Sequence, residues 1–89
     1  MTLRERIAYT RTIYKLSQTN VADALGVSRN YISMIENNNG NVGATQERLE
    51  EILNIIYKLG EEKKKGRLQD VLNDLKTINK NKNKEYKGR

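Results

Sequence analysis

Residues 16–37 read LSQTNVADALGVSRNYISMIEN, and this stretch decides the fold. Ser17 and Ser28 each precede a short segment with helical spacing of apolar residues, and serine is a preferred N-cap because its hydroxyl accepts a backbone N–H that is otherwise unpaired. Gly26 follows the first segment, where a left-handed residue ends a helix. Only Val27 separates Gly26 from Ser28, so the corner between the segments is sharp. The pattern predicts a helix-turn-helix unit.

Helical periodicity continues on both sides of this unit. Apolar residues spaced by three and four predict one helix before it and two after it, with a broad apolar stripe from Leu49 to Leu59. Thr45 is the predicted N-cap of the fourth helix, and Gly60 is its predicted stop. Residues 79–89 lack an apolar stripe, and we expect them to form a disordered tail. The fold class is therefore all-α, with five helices predicted at 3–15, 18–25, 28–37, 45–59 and 67–78.

The residue types that are missing exclude several classes of protein. The chain has no cysteine and no histidine, which removes disulfides, thiolate metal sites and the commonest general base. It has no glycine-rich phosphate loop and no cluster that would activate a nucleophile. We expect no enzymatic activity, no metal and no cofactor. The chain starts in charged sequence, and no apolar run approaches the roughly 18 residues of a membrane span. We therefore expect a soluble, cytoplasmic protein without membrane association.

The net charge of +6 is distributed unevenly along the chain. Residues 63–89 carry a net charge of +7 and residues 41–62 a net charge of −3. A basic balance favours nucleic acid as a partner. For the Lys/Asn-rich tail by itself, a role in solubility stays an equal alternative to contact along DNA. Single-stranded RNA is disfavoured as a ligand, because the tail lacks the paired aromatic residues on which bases stack.

The polar side of the third predicted helix carries side chains that can read base edges. Arginine donates two hydrogen bonds to guanine, and asparagine pairs with adenine in the same bidentate way. Serine can donate or accept a hydrogen bond, and methionine can contact the methyl group of thymine. Both kinds of bidentate side chain stand at the start of the helix, the end that enters the groove in this motif. The predicted base-contact residues are Arg29, Asn30, Ser33 and Met34.

Residues 16–18 and 21–37 resemble the Cro and lambda-repressor-like, XRE-type helix-turn-helix family, and the resemblance covers roughly residues 3–59. It implies a lambda-repressor-like fold, double-stranded DNA as the partner and 28–37 as the recognition helix. The resemblance also implies that Arg11 and Glu36 form a structural salt bridge, and that the loop 37–41 lies along the DNA backbone. The residues that we expect to contact phosphate are Lys15, Gln18, Ser28, Tyr31, Asn38 and Thr45.

The chain departs from the family pattern at three places. Asn20 stands where the family has a glutamate, so we expect a weaker capping box at the second helix. Tyr14 stands where the family frequently has a glycine. The loop after the recognition helix lacks the usual proline. These differences concern loop geometry and leave the expected fold unchanged.

The leading functional hypothesis is a homodimeric transcriptional regulator that binds a palindromic operator and blocks polymerase. The expected organisation is a DNA-binding domain at 1–60, a helical segment at 61–78 and the tail at 79–89. The helical segment is predicted to form the dimer interface, although its apolar face can instead fold back on the core. The alternative hypothesis is an antitoxin-like regulator whose C-terminal segment binds a toxin, and contact with RNA polymerase is a further possibility. The predicted interface residues are Leu68, Val71, Leu72, Leu75 and Ile78.

Overall fold

Five α-helices form the described part of the chain in a computed structural model. The structure describes residues 1–37 and 43–87, and from residue 80 to 87 it describes the backbone alone. The predicted all-α class with five helices is confirmed. The helices are α1 (Leu3–Ile13), α2 (Gln18–Leu25), α3 (Arg29–Glu36), α4 (Gln46–Lys64) and α5 (Leu68–Lys87).

Local caps fix both ends of α2. The Ser17 hydroxyl accepts the Asn20 N–H at 2.9 Å, and the Asn20 carboxamide oxygen accepts the Ser17 N–H at 3.0 Å. Both hydrogen bonds of a capping box are therefore present, with the amide oxygen of asparagine in the place of a glutamate carboxylate, and the expected weakness of this box stays a prediction. Gly26 ends the helix in the left-handed region at φ 71°, which a residue with a Cβ rarely adopts.

The start of α3 is fixed in the same way. The Ser28 hydroxyl accepts the Tyr31 N–H at 3.1 Å, which satisfies one of the unpaired donors of the first turn. Ile32 and Ile35 are completely buried and anchor the inner face of the helix to the core. Since this apolar face is held inside, the opposite face of α3 is held in a fixed orientation toward the outside.

Helix α4 passes through Gly60, which was predicted to stop it. The helix ends at Lys64, and Gly60 is buried against the ring of Tyr14. A Cβ at Gly60 would lie 2.2 Å from Cγ of Tyr14, so a side chain at this position would clash with the ring. Gly60 therefore permits close contact between α1 and α4 and does not end a helix.

Helix α5 continues to Lys87, beyond the predicted end at residue 78. The prediction of a disordered tail from residue 79 is therefore wrong for residues 79–87. Residues 88 and 89 lie outside the described residues. The physical reason is that α5 contains neither glycine nor proline, and lysine is a good helix former. Residues 79–87 lack an apolar stripe, but they include no residue that breaks a helix.

The apolar face of α5 packs against its own domain, on α2 and α4. Val71 and Leu72 are buried, and Leu68 and Leu75 are partly buried against the core. Only Ile78 of the five predicted interface residues is exposed, with 57% of its surface accessible. Within one copy of the chain this face packs on the core, as in the alternative of folding back, and its predicted role as a dimer interface stays a prediction. An amphipathic helix buries its apolar face against whichever apolar surface is within reach.

The core lies where α1, α2, α3 and α4 meet, with α5 covering one side. The side chains that are completely buried come from the first four helices, so the helix-turn-helix unit is fixed to α1 and α4. The largest of these side chains are Ile7, Val21, Ile32, Ile35, Ile52, Ile56 and Leu59.

Candidate nucleic-acid interface

The outer face of α3 presents the four residues that were predicted to contact bases. Arg29 and Asn30 are exposed in the first turn of the helix, while Ser33 and Met34 are partly buried one turn further along. In the described part of the chain, Arg29 has no carboxylate within ion-pair distance. Its guanidinium group can therefore turn toward a ligand without first breaking a salt bridge.

The other three base-contact candidates make weak hydrogen bonds along the helix surface. The Asn30 amide nitrogen lies 3.5 Å from the Met34 sulfur, and the Asn37 amide nitrogen donates to the Ser33 hydroxyl at 3.3 Å. Sulfur is a weak acceptor. Such exposed bonds can be exchanged for bonds to base edges at little cost in free energy.

A hydrogen-bonded network at the end of α3 fixes the orientation of the recognition helix. The predicted salt bridge is present: Nε of Arg11 lies 2.6 Å from one carboxylate oxygen of Glu36, and an NH2 group of Arg11 donates to the other at 3.0 Å. The side-chain amide of Gln18 donates to the same oxygen at 3.0 Å. Arg11 also donates to the carbonyl of Leu16 at 2.7 Å. These contacts join α1, the start of α2 and the end of α3.

Tyr31 is partly buried on the recognition helix and packs against the core. Burial acts to lower the pKa of Arg48, but hydrogen bonds with Tyr31 and Glu51 outweigh it and raise the pKa above its ordinary value. Arginine is charged in proteins with or without this shift. Tyr31 therefore has a packing role, and the phosphate contact predicted for it stays a prediction.

The remaining phosphate-contact candidates lie at helix ends. Thr45 caps α4 by accepting the Arg48 N–H at 3.0 Å, as predicted, and Ser28 caps α3. Lys15 is exposed between α1 and α2, with a left-handed φ of 57°. It is Lys15, and not its neighbour Tyr14, that adopts the conformation a glycine would favour. Asn38 lies outside the described residues.

Two contacts in this region could not be found from local sequence patterns. Arg4 donates to the carbonyl of Ile35 at 3.4 Å, close to the end of α3. The ammonium group of Lys63 donates to the carbonyl of Lys15. In each case the two residues are far apart in the chain, 31 and 48 positions, and the contact depends on how α1 packs against α3 and α4.

The described residues include no group of three or more histidines, cysteines, aspartates or glutamates placed to hold a metal ion. Among the helices described, none is both long enough and apolar enough to cross a membrane.

The fold and this surface define a small all-α domain that presents a recognition helix. A family model described as helix-turn-helix matches residues 7–56, more than half of the chain. The chain therefore belongs to the Cro/lambda-repressor-like, XRE-type helix-turn-helix family, whose members are DNA-binding regulators. Neither a curated protein nor a solved structure matches the chain.

Proposed function

We propose that this protein is a transcriptional repressor that binds a palindromic operator as a homodimer, with α3 in the major groove. The observation that carries the proposal is the exposed polar side of α3, which begins with Arg29 and Asn30. These two side chains supply the bidentate hydrogen bonds that discriminate guanine and adenine. A repressor acts by occupying the operator, so that RNA polymerase cannot use the promoter.

Phosphate contacts around α3 would supply most of the affinity. The candidates described by the structure are Lys15, Gln18, Ser28, Tyr31 and Thr45, with Asn38 as a further candidate in the loop. Three of them stand at the start of α2, α3 or α4, where free backbone N–H groups and the helix dipole favour an anion. The amide of Gln18 would then be held in place by its hydrogen bond to Glu36.

Homodimer formation is part of the proposal because one domain of 10.3 kDa reads few base pairs. Helix-turn-helix dimers bind two half-sites about one helical turn apart, which doubles the number of base contacts. Since the apolar face of α5 is covered within the domain, the two copies would meet through another surface. Sedimentation analysis with and without operator DNA tests this part separately.

The first experiment titrates the protein against the DNA upstream of its own gene, beside Arg29→Ala and a control. Loss of the bidentate contact should cost about 1–3 kcal/mol of binding free energy at one site. Lys58→Ala is the matched control, because this substitution also removes one positive charge. Lys58 borders an acidic surface with Glu47, Glu50 and Glu51. The control should bind the site as the wild type does.

Weak binding to every sequence, with no effect of Arg29→Ala, would contradict the proposal. The alternative of a partner-binding regulator, such as an antitoxin, would then be examined by co-purification of a second chain. In the described part of α5, Ile78 is the one large apolar side chain left exposed, so the structure offers such a partner little apolar surface there.

A further inference from the structure

Three lysines gather where the end of α1 meets the last turn of α4. We call this cluster the basic corner: Lys15, Lys63 and Lys64. The three residues border one shallow hollow, together with Ile13, Tyr14 and Gly60. The close approach of Tyr14 to Gly60 holds the two helices together here, so the last turn of α4 is brought to the end of α1.

Lys63 is tied directly to the chain segment that leads into α2. Its ammonium group donates to the carbonyl of Lys15, two residues before the N-cap Ser17. An ammonium group has three N–H donors, so this bond leaves two of them for another acceptor. The backbone bond thus places the positive charge without neutralising it.

Two of the three lysines lack a negative partner in the described part of the chain. Lys64 forms an ion pair with Glu61 at 3.2 Å and lies 5.2 Å from the centre of the Tyr14 ring. Lys15 and Lys63 have no carboxylate within ion-pair distance among the described residues. Both residues border the same hollow, so the positive charges of both attract an anion that binds there.

The position of the corner relates it to the DNA-facing surface. Lys15 lies three residues before Gln18, whose amide contacts Glu36 at the end of the recognition helix. The corner therefore adjoins the chain segment that leads into α2. The last turn of α4 lies beyond residue 56, where the family match ends, so Lys63 and Lys64 add to the surface that the family shares.

We propose that the basic corner binds backbone phosphates of the DNA that flanks each operator half-site. This inference rests on the proposed operator binding and adds contacts to the DNA on either side of the half-sites. Because phosphates are the same at every base pair, the corner contributes affinity and salt dependence but no preference for sequence. Its lysines act as flexible point charges, which suits phosphate contact better than base reading.

The test compares Lys15→Gln/Lys63→Gln with the matched control Lys58→Gln. The probes are two duplexes with a site selected from a random DNA pool, one with long flanks and one cut back to the site. On the long duplex, the slope of log K against log salt should become shallower by about 0.9 for each lysine that neutralises a phosphate. The preference for the site over scrambled DNA should not change. On the short duplex, the difference in slope between the wild type and the double variant should fall to about 0.9, the share of Lys15, because Lys15 is also a candidate phosphate contact within the half-site.

The outcomes separate this inference from the proposed function. A double variant with the wild-type slope on the long duplex would overturn the role of the corner while leaving operator binding intact. A double variant that loses its preference for the site would also overturn it, since the lysines would then position the recognition helix. A wild-type protein without any site preference would overturn both proposals. Equal thermal unfolding midpoints for all variants confirm that the substitutions leave the fold unchanged.

Discussion

At the scale of single residues, Glu36 is the acceptor at the centre of the hydrogen-bonded network that joins the recognition helix to α1 and α2. Its two carboxylate oxygens accept hydrogen bonds from Arg11 and Gln18, and its side chain is only 5% exposed. The ion pair could be predicted from the family resemblance, because both positions match its motif. The bond from Gln18 could not, since its geometry depends on how the start of α2 packs beside the end of α3.

We expect Glu36→Ala to lower the free energy of unfolding by about 3 kcal/mol. The substitution leaves the guanidinium group of Arg11 partly buried without a negative partner, and breaking such a pair costs about 3–5 kcal/mol when burial is complete. Arg11 keeps 18% of its side-chain surface exposed, which places the expected value at the low end. Urea denaturation followed by circular dichroism measures the change.

Glu50→Ala is the matched control for this substitution. Glu50 is exposed on α4, and its carboxylate accepts a hydrogen bond from the Gln46 amide at 3.3 Å. Its replacement should change stability by less than about 0.5 kcal/mol. If both variants unfold at the same urea concentration, the buried pair contributes nothing to stability. Replacing both Arg11 and Glu36 by apolar residues should recover much of the loss, because no unpaired charge remains.

At the scale of helices, the ends that could be predicted are those set by neighbouring residues. The bounds of α2 agree with the prediction and those of α3 differ by one residue at each end, because Ser17, Gly26 and Ser28 determine them locally. The end of α4 could not be predicted in this way. A glycine after an apolar stripe is typical of a helix end, and only the ring of Tyr14, 46 positions earlier in the chain, shows why Gly60 lies inside a helix.

We expect Gly60→Ala to destabilise the protein, although alanine normally stabilises a helix interior by about 1 kcal/mol relative to glycine. The added Cβ would lie 2.2 Å from Cγ of Tyr14, so the ring must leave its position on α4. Overpacking of this kind costs about 1–3 kcal/mol. Urea denaturation of Gly60→Ala gives both the sign and the size of the effect.

A double-mutant cycle with Tyr14→Ala identifies the ring as the cause. In the Tyr14→Ala background the space above Gly60 is free, and Gly60→Ala should then stabilise the protein by up to about 1 kcal/mol. Gly43→Ala serves as the control for an added methyl group, because its Cβ would meet nothing within 4 Å. A Gly60→Ala substitution that stabilises both backgrounds equally would show that the two helices are not in close contact here.

At the scale of the whole molecule, the sequence could not decide what covers the apolar face of α5. The same spacing of leucines and valine is expected whether the face packs on its own domain or on a second copy. In the structure, α5 is further held to α2 by the amide of Asn79, which donates to the carbonyl of Ala24 at 3.1 Å, and by Lys76, which lies 3.5 Å from Asp23. These polar contacts add to the apolar packing and place α5 beside the helix-turn-helix corner.

Leu72→Ala distinguishes the two arrangements, because Leu72 is 4% exposed within one copy of the chain. Deleting a buried leucine side chain costs about 2–5 kcal/mol, and here that loss should be the same at every protein concentration. If Leu72 instead stabilised a dimer, the unfolding midpoint of the wild type would rise with concentration and the variant would lose this dependence. Ile78→Ala, at 57% exposure, should change stability by less than about 0.5 kcal/mol.

Denaturation of both variants across a hundredfold range of concentration therefore tests whether α5 belongs to the DNA-binding domain itself. If it does, a homodimer must form on a surface that leaves α5 in place, and any change that loosens α5 should weaken DNA binding through the helix-turn-helix corner rather than through loss of the dimer.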